Sequence, residues 1–529
     1  MDTSRLEIIR QCNPAQNPDK TRYTWDERGM GLLFAEAYRD VLRYCPERKT
    51  WYAYADGRWQ PDAGALLCAE QIKAFSRLMT LYCAEIEDDS LRQAYTSFVA
   101  KMGDRRFRDR IAKDAASVFP ISARQFDSKP ELINCKNGTY DLQAMRFRKH
   151  DWRDFLTMQT NFRYTQTPPQ CGRWERFIAE ITEGDTDKAD YLQKAAGYAV
   201  TGFNREECMF ILWGKSTRNG KSTLLNAIQY ALGDYGTVAP VSVICTHGTS
   251  RNADSATPTL ARLAGKRFVT MAESNQYGRL DEETVKQITG GEEISARNLY
   301  ESPITYLPQF TLWLSCNDLP EVRDKSVFAS DRIRLIELNR HFSEAERDET
   351  LKDYFRQEDA MQGIFKWLTD GYAMYRQQGL KLPDSMKQSL RKYESSNDVV
   401  AQYIISNCSE IPNGSAFITD LYIRYKAFCK ENGYYIMNAR KFAENIQEKY
   451  EVRKDENGRN CAVGLILKQK EFSSRMGMSE KHISRLINGD VQLTPEVAHK
   501  LEMVLGVPAE FWNNLEAIYR EKLAKEKTK

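Results

Sequence analysis

The sequence predicts a multidomain α/β protein built around a phosphate-loop core. Three observations carry that expectation. The apolar run Cys208-Met209-Phe210-Ile211-Leu212 leads into Trp213-Gly214-Lys215-Ser216-Thr217-Arg218-Asn219-Gly220-Lys221-Ser222-Thr223, and good helix formers follow up to Gly233. Strand, glycine-containing turn and helix, in that order, are what a phosphate-binding loop requires. A chain of 529 residues is long for one hydrophobic core, so three or more domains are expected. Finally, hairpin and helix patterns precede the loop, while two segments with turn chemistry of their own follow it.

Composition narrows the class. Charged residues make up 28% and hydrophobic residues 42%, which suits folded domains rather than disorder. A net charge of +3 does not by itself indicate nucleic acid. No apolar run approaches the ~20 residues that span a bilayer, and the first residues show no signal-peptide core. The expectation is a cytoplasmic protein with no membrane partner. Twelve cysteines stand singly without a Cys-x-x-Cys pair, and none of the five histidines lies near one at ligand spacing. That pattern predicts reduced thiols and argues against structural zinc, including a zinc-binding primase module.

Residues 1–165 read as a mixed α+β domain. Trp51-Tyr52-Ala53-Tyr54 and Trp59 flank a turn at Ala55-Asp56-Gly57-Arg58, and Asn137-Gly138 marks a second hairpin, with helical patterns between about Gly64 and Val118. Arg105, Arg106, Arg108 and Arg110, with Lys101 and Lys113, form a basic cluster whose default reading is a solvated helix face. Pro168-Pro169 lies in a linker, and 171–207 is a helical lead-in. There Asp185 and Asp187 open a helical pattern, so N-capping explains them better than a metal site. The core is assigned to 208–342 and a further helical segment to 343–395.

Within the loop, backbone N–H groups and the helix dipole place positive potential at one point. Gly214, Arg218, Asn219, Gly220, Lys221, Ser222 and Thr223 are the candidate nucleotide-binding residues. Lys221 reaches the β- and γ-phosphates, and the Ser222 hydroxyl, or less favourably Thr223, ligates Mg²⁺. ATP with Mg²⁺ is therefore the expected ligand pair. One departure stands out: five residues separate Gly214 from Gly220 rather than four, so Lys215 occupies the place of the usual first glycine.

Downstream, Arg267-Phe268-Val269-Thr270-Met271-Ala272-Glu273 is a short strand ending in an acid, the form of a Walker B element. Glu273 is the candidate to activate water and organise the metal. Lys286 to Tyr300 carries Gly290-Gly291 and then Arg297 and Tyr300, suited to a loop on a phosphate backbone. Phe310 to Asn317 is a strand ending in an amide, with Asn317 the candidate γ-phosphate sensor. Arg332 and Arg334, beside another strand, are alternative arginine fingers for a neighbour's nucleotide.

Residues 396–468 have the outline of a winged helix: helices over Ile418–Lys430 and from Asn438 to Lys449, then a hairpin about Asn457-Gly458. Arg440 and Lys441 are candidate DNA contacts there. Residues 469–529 read as helix, turn and helix, with Ser479 as N-cap and Lys481 and Arg485 on the presumptive reading helix, ending in a frayed tail. This segment resembles the lambda-repressor-like and antitoxin-type helix-turn-helix proteins. The usual first helix is not evident upstream, because Val463 to Leu467 reads as a strand.

Taken in order, the loop, Glu273, Lys286 to Arg297 and Asn317-Asp318-Leu319-Pro320 resemble the superfamily 3 helicases of viruses, phages and plasmids. Trp174 to Gly202 and Asn134 to Leu142 extend the likeness to the phage/plasmid and poxvirus-type primase–helicases, over most of residues 20 to 468. The resemblance implies an AAA+ core assembled as a homo-hexameric ring, moving on single-stranded or forked DNA at the expense of ATP. It implies Lys221 on phosphates, Glu273 on water, Asn317 as sensor, Arg332 or Arg334 as finger, and a DNA-contacting hairpin near Arg297. No primase acid constellation stands out, so priming is assigned to a separate primase or initiator. The rival reading is a nucleotide-switched DNA-binding regulator or initiator without unwinding activity. A P-loop small-molecule kinase is disfavoured, since it needs no trailing DNA-binding modules.

Overall fold

A computed structural model describes residues 3–16, 22–246, 257–272, 279–297, 303–324, 326–487 and 490–527. The chain forms two compact units, 1–391 and 392–529.

In the first unit, the helices Glu27–Ala37, Leu66–Ala84, Asp89–Val99 and Arg105–Ala116 bury Leu33, Phe34, Phe75, Met79, Tyr95 and Ile111 in one core. The first, third and fourth are capped by Asp26, Asp88 and Asp104, whose carboxylates accept backbone N–H groups of the first turn. A three-stranded antiparallel sheet, Leu42–Cys45, Thr50–Ala55 and Arg58–Asp62, turns at Asp56-Gly57, where both residues take positive φ. A second one joins Leu132–Cys135, Gly138–Asp141 and Arg146–Arg148. The basic run lies on the Arg105–Ala116 helix, where Phe107 and Ile111 face inward and Arg110 pairs with Glu27.

The centre of this unit is a five-stranded parallel sheet in the order Ile333–Glu337, Met209–Trp213, Thr311–Cys316, Phe268–Ala272, Gly236–Val238. Counted along the chain, its strands lie fifth, first, fourth, third, second. The middle strands are buried on both faces, as their unbroken apolar runs require. Around it pack the helices Gly172–Ile181, Thr186–Val200, Lys221–Leu232 and Glu358–Gln378. Asp185 caps the second of these, accepting from Lys188 N, in line with the capping reading of that acid. Gly197 lets this helix cross Glu358–Gln378 closely: a Cβ there would stand 2.2 Å from Tyr372 N.

The far end of the Lys221–Leu232 helix is fastened to the N-terminal sheets. Asp234 pairs with Arg58 at 2.6 Å and accepts from Gln159 N at 3.2 Å, and the buried Tyr235 hydroxyl accepts from Asn134 N at 3.0 Å. Arg267 is fully buried nearby and donates to Lys129 O.

In the second unit, the helices Val399–Asn407, Ile418–Asn432 and Ala439–Lys449 pack on an antiparallel sheet ordered Cys408–Phe417, Asn460–Leu467, Val452–Lys454. Asn438 caps its helix through Lys441 N, as its sequence position suggests. The strand Cys408–Phe417 carries no regular alternation in sequence and was not anticipated; it shifts register between Glu410 and Ser415. Helices Lys468–Arg475, Glu480–Ile487, Pro495–Leu505 and Ala509–Lys527 follow. The first of these begins directly after Leu467, which answers the missing helix: strand and helix abut without a linker.

Candidate nucleotide site

Residues 214–220 bridge the Met209–Trp213 strand and the Lys221–Leu232 helix. Gly220 sits at φ +82°, where an L side chain is strained, and a Cβ there would meet Ile181 Cγ2 at 2.5 Å. Gly214 is pressed against the backbone after the last strand: a Cβ would lie 2.2 Å from Leu338 O. No side chain caps the helix that Gly220 opens, so its first N–H groups are presented for an external acceptor. Ser222, in the first turn, is exposed, and Thr223 is half-buried. The Ser216 hydroxyl is buried without a hydrogen-bond partner. An uncapped helix start, an exposed hydroxyl and an orphaned buried hydroxyl fit a phosphate group with a hard cation beside it.

Lys221 is 5% exposed, and its Nζ donates to Gly214 O at 3.0 Å and to Asn317 Oδ1 at 2.9 Å. Asn317 follows the central Thr311–Cys316 strand, and Trp213 Nε1 donates to its carbonyl at 2.8 Å. Phosphate-loop lysine and presumed sensor therefore meet directly. Asn219 is buried, and its amide donates to Ser216 O at 2.6 Å, bracing the loop from within.

Sequence reasoning missed a second layer. Residues after the Ile333–Glu337 strand run back over the loop: Leu338 N donates to Trp213 O, the His341 ring donates to Thr217 O at 2.8 Å, and Phe342 N donates to Arg218 O at 2.9 Å. Glu344 pairs with the Arg218 guanidinium, and Arg347 and Arg218 together hold the Glu344 carboxyl below its usual range. Arg218 itself stands at φ +57°. The only hint in the sequence is the cationic and aromatic run Arg340-His341-Phe342, which has no recognised spacing.

The other candidates divide. Glu273 and Tyr300 lie outside the described residues. Lys286 is on the Glu282–Thr289 helix and pairs with Asp324 at 2.5 Å. Arg297 is exposed after the Ile294–Ala296 strand, with its backbone bonded to Thr257. Arg332 is held by its own chain, donating to Thr289 Oγ1 at 2.9 Å and pairing with Glu207 at 2.9 Å. Arg334 is 8% exposed and lies near Glu206 and Asp331. In the second unit Arg440 is exposed and pairs with Glu444, while Lys441, Lys481 and Arg485 are exposed on their helices.

Three family profiles match the chain: one described as D5 N terminal like over residues 31–183, a family of unknown function over 212–334, and a helix-turn-helix over 463–512. "Putative helicase L207/L206" of Acanthamoeba polyphaga mimivirus is 27% identical over 437 residues, covering 76% of this chain and 45% of the relative. "Putative helicase 121R" of Invertebrate iridescent virus 3 is 24% identical over 361 residues, covering 61% and 38%. "Putative primase C962R" of African swine fever virus is 19% identical over 234 residues, covering 43% and 24%. The chain thus spans less than half the length of these relatives. Among solved structures, the apo C-terminal region of NrS-1 aligns over 80% of this chain and 96% of its own at 12% identity, with a TM-score of 0.44. That likeness is too loose to compare sites residue by residue. With the N-terminal match, the viral relatives and the helix-turn-helix taken together, the chain belongs to the D5-like helicase–primase family and carries a C-terminal helix-turn-helix.

Proposed function

We propose that this chain is an ATP-dependent DNA helicase serving replication of a virus, phage, plasmid or integrated element, moving on single-stranded DNA as a homo-hexameric ring. The observation that carries the reading is the contact of Lys221 with Asn317 at the mouth of an uncapped helix. It brings a cation for the phosphates and an amide for the γ-phosphate or attacking water to one place. The strand order and the parallel sheet support an AAA+ core. The order helix, strand, two helices, two strands in residues 399–467 supports a winged helix.

In this reading Gly214, Arg218, Asn219 and Gly220 shape the loop, Lys221 and the N–H groups of Ser222 and Thr223 hold phosphate oxygens, and Glu273 takes a proton from water. Ser222 and Glu273 hold Mg²⁺, which supplies positive charge against the β- and γ-phosphates when bound. Arg332, less buried than Arg334, is the finger, and it exchanges Thr289 and Glu207 for a neighbour's nucleotide. Lys286, Arg297 and Tyr300 contact the strand, and Arg440, Lys441, Lys481 and Arg485 contact DNA outside the ring. A separate primase or initiator supplies primers, and the protein works in the cytoplasm.

Two modules of DNA-binding form beyond residue 392 favour a second reading, the nucleotide-switched regulator. Steady-state ATP hydrolysis without DNA, with single strands and with duplex, for wild type and Lys221→Ala, separates the two. Stimulation by single strands that Lys221→Ala abolishes supports the motor. Hydrolysis indifferent to DNA, beside tight duplex binding, supports the regulator and sinks the helicase.

A further inference from the structure

The Ala509–Lys527 helix is joined to its module near one end. Trp512 packs against the core formed by Met476, Ile483, Val497 and Leu501, and its Nε1 donates to Val507 O at 3.1 Å. Beyond Trp512 none of the helix's described side chains joins that core. Its apolar residues nevertheless keep helical spacing: Phe511, Leu515, Ile518 and Tyr519 fall at i, i+4, i+7 and i+8, one stripe of the surface. All four are exposed, between 42% and 56%, and the end of the preceding helix adds Met503 at 78% and Leu505 at 47%. A helix of this length without a packed face is marginal in water, so the stripe calls for a cover. Exposed apolar area this concentrated marks an interaction surface.

We infer that the cover is the same face of a second copy of this chain, with the two Ala509–Lys527 helices antiparallel about a two-fold axis. Two features select that occupant. The first is area. The six residues expose roughly 600 Å² per copy, so two copies meeting face to face hide on the order of 1,200 Å², the lower edge of a stable interface. The second is charge. Residues 509–519 carry Glu510 and Glu516 and no base, whereas 520–527 carry Arg520, Lys522, Lys525 and Lys527 against Glu521 and Glu526. An antiparallel pair sets each acidic half against the partner's basic half and opposes the two helix dipoles, whereas a parallel pair sets like against like. The contact is isologous, so it joins chains in twos and closes. It is therefore distinct from a head-to-tail ring contact and does not depend on the nucleotide site.

Sedimentation of the full chain, wild type against Leu515→Glu/Ile518→Glu, reads the contact directly, with and without ATP. The expected result is that wild-type particles have twice the mass of the variant's in both conditions, whatever ring state the core adopts. Equal masses overturn the proposal, as does a patch covered by the variant's own chain, seen as unchanged mass with newly exposed protease sites. Charge variants guard against simple misfolding. Glu510→Lys/Glu516→Lys and Lys522→Glu/Lys525→Glu each lose the doubling alone and regain it when mixed, one copy of each per pair. Folded variants that do not pair on mixing overturn the antiparallel arrangement.

Discussion

Lys221 Nζ lies 2.9 Å from Asn317 Oδ1, joining the first residue of the phosphate-loop helix to the end of the central strand. A buried ammonium held by an amide oxygen and a backbone carbonyl is poised to exchange one of them for a phosphate oxygen. Asn317→Ala is expected to lower ATP turnover on the order of 10²-fold, as removal of one donor to a developing charge does elsewhere. Lys221→Ala is expected to abolish it. Steady-state kinetics of both variants checks this, and an Asn317→Ala enzyme with wild-type kcat refutes the sensor role.

Gly214→Ala forces a Cβ onto Leu338 O at 2.2 Å, a backbone atom that yields only if the covering segment lifts off the loop. The expected cost is about 1–3 kcal/mol of stability, typical of overpacking. Nucleotide binding should weaken in parallel. Thermal melts with and without ATP read both effects, and an unchanged melting point contradicts the close packing.

The clasp of Glu344 on Arg218 makes a separate prediction. Both side chains are largely exposed, so Glu344→Gln should leave stability within about 1 kcal/mol of wild type. It frees a guanidinium beside the phosphates, so KM for ATP should fall. A raised KM would show that the ion pair shapes the loop rather than competing with the nucleotide.

Lys286 is tied to Asp324 at 2.5 Å. Burial pushes the Asp324 carboxyl up, but hydrogen bonds from Lys286 and Ser326 outweigh it and bring it down to about 2. A depressed carboxylate contributes stability above its unfolded value, near ~4, and loses it as pH falls toward about 2. Asp324→Asn should flatten this part of the acid limb in urea denaturation between those values. At neutral pH the same variant releases Lys286 and should tighten single-stranded DNA binding, with a steeper salt dependence, measured by fluorescence anisotropy.

Arg332 and Arg334 should separate by phenotype. Arg334→Ala removes a nearly buried cation near Glu206 and Asp331, and the expected result is a fall in melting temperature. Arg332→Ala in mixed assemblies with wild type should reduce turnover beyond its own share if it serves a neighbour's nucleotide. Turnover proportional to the wild-type fraction removes it as the finger.

What the sequence determined by itself was local. The phosphate loop, the caps at Asp185 and Asn438, and the turns at Asp56-Gly57 and Asp455–Arg459 were legible because each is written in a few adjacent residues whose backbone preferences act alone. The Lys221–Leu232 helix was readable for the same reason, and so was the helix-turn-helix. The tertiary structure alone decided how strands far apart in the chain line up in one sheet, and therefore that Asn317 meets Lys221. It alone brought Leu338 to Glu344 back over the loop, fastened the helix end at Asp234 to Arg58, and turned Arg334 inward. Contacts between distant residues leave no periodic trace in sequence, because they are fixed by the packing of whole elements rather than by any residue's own conformational preference.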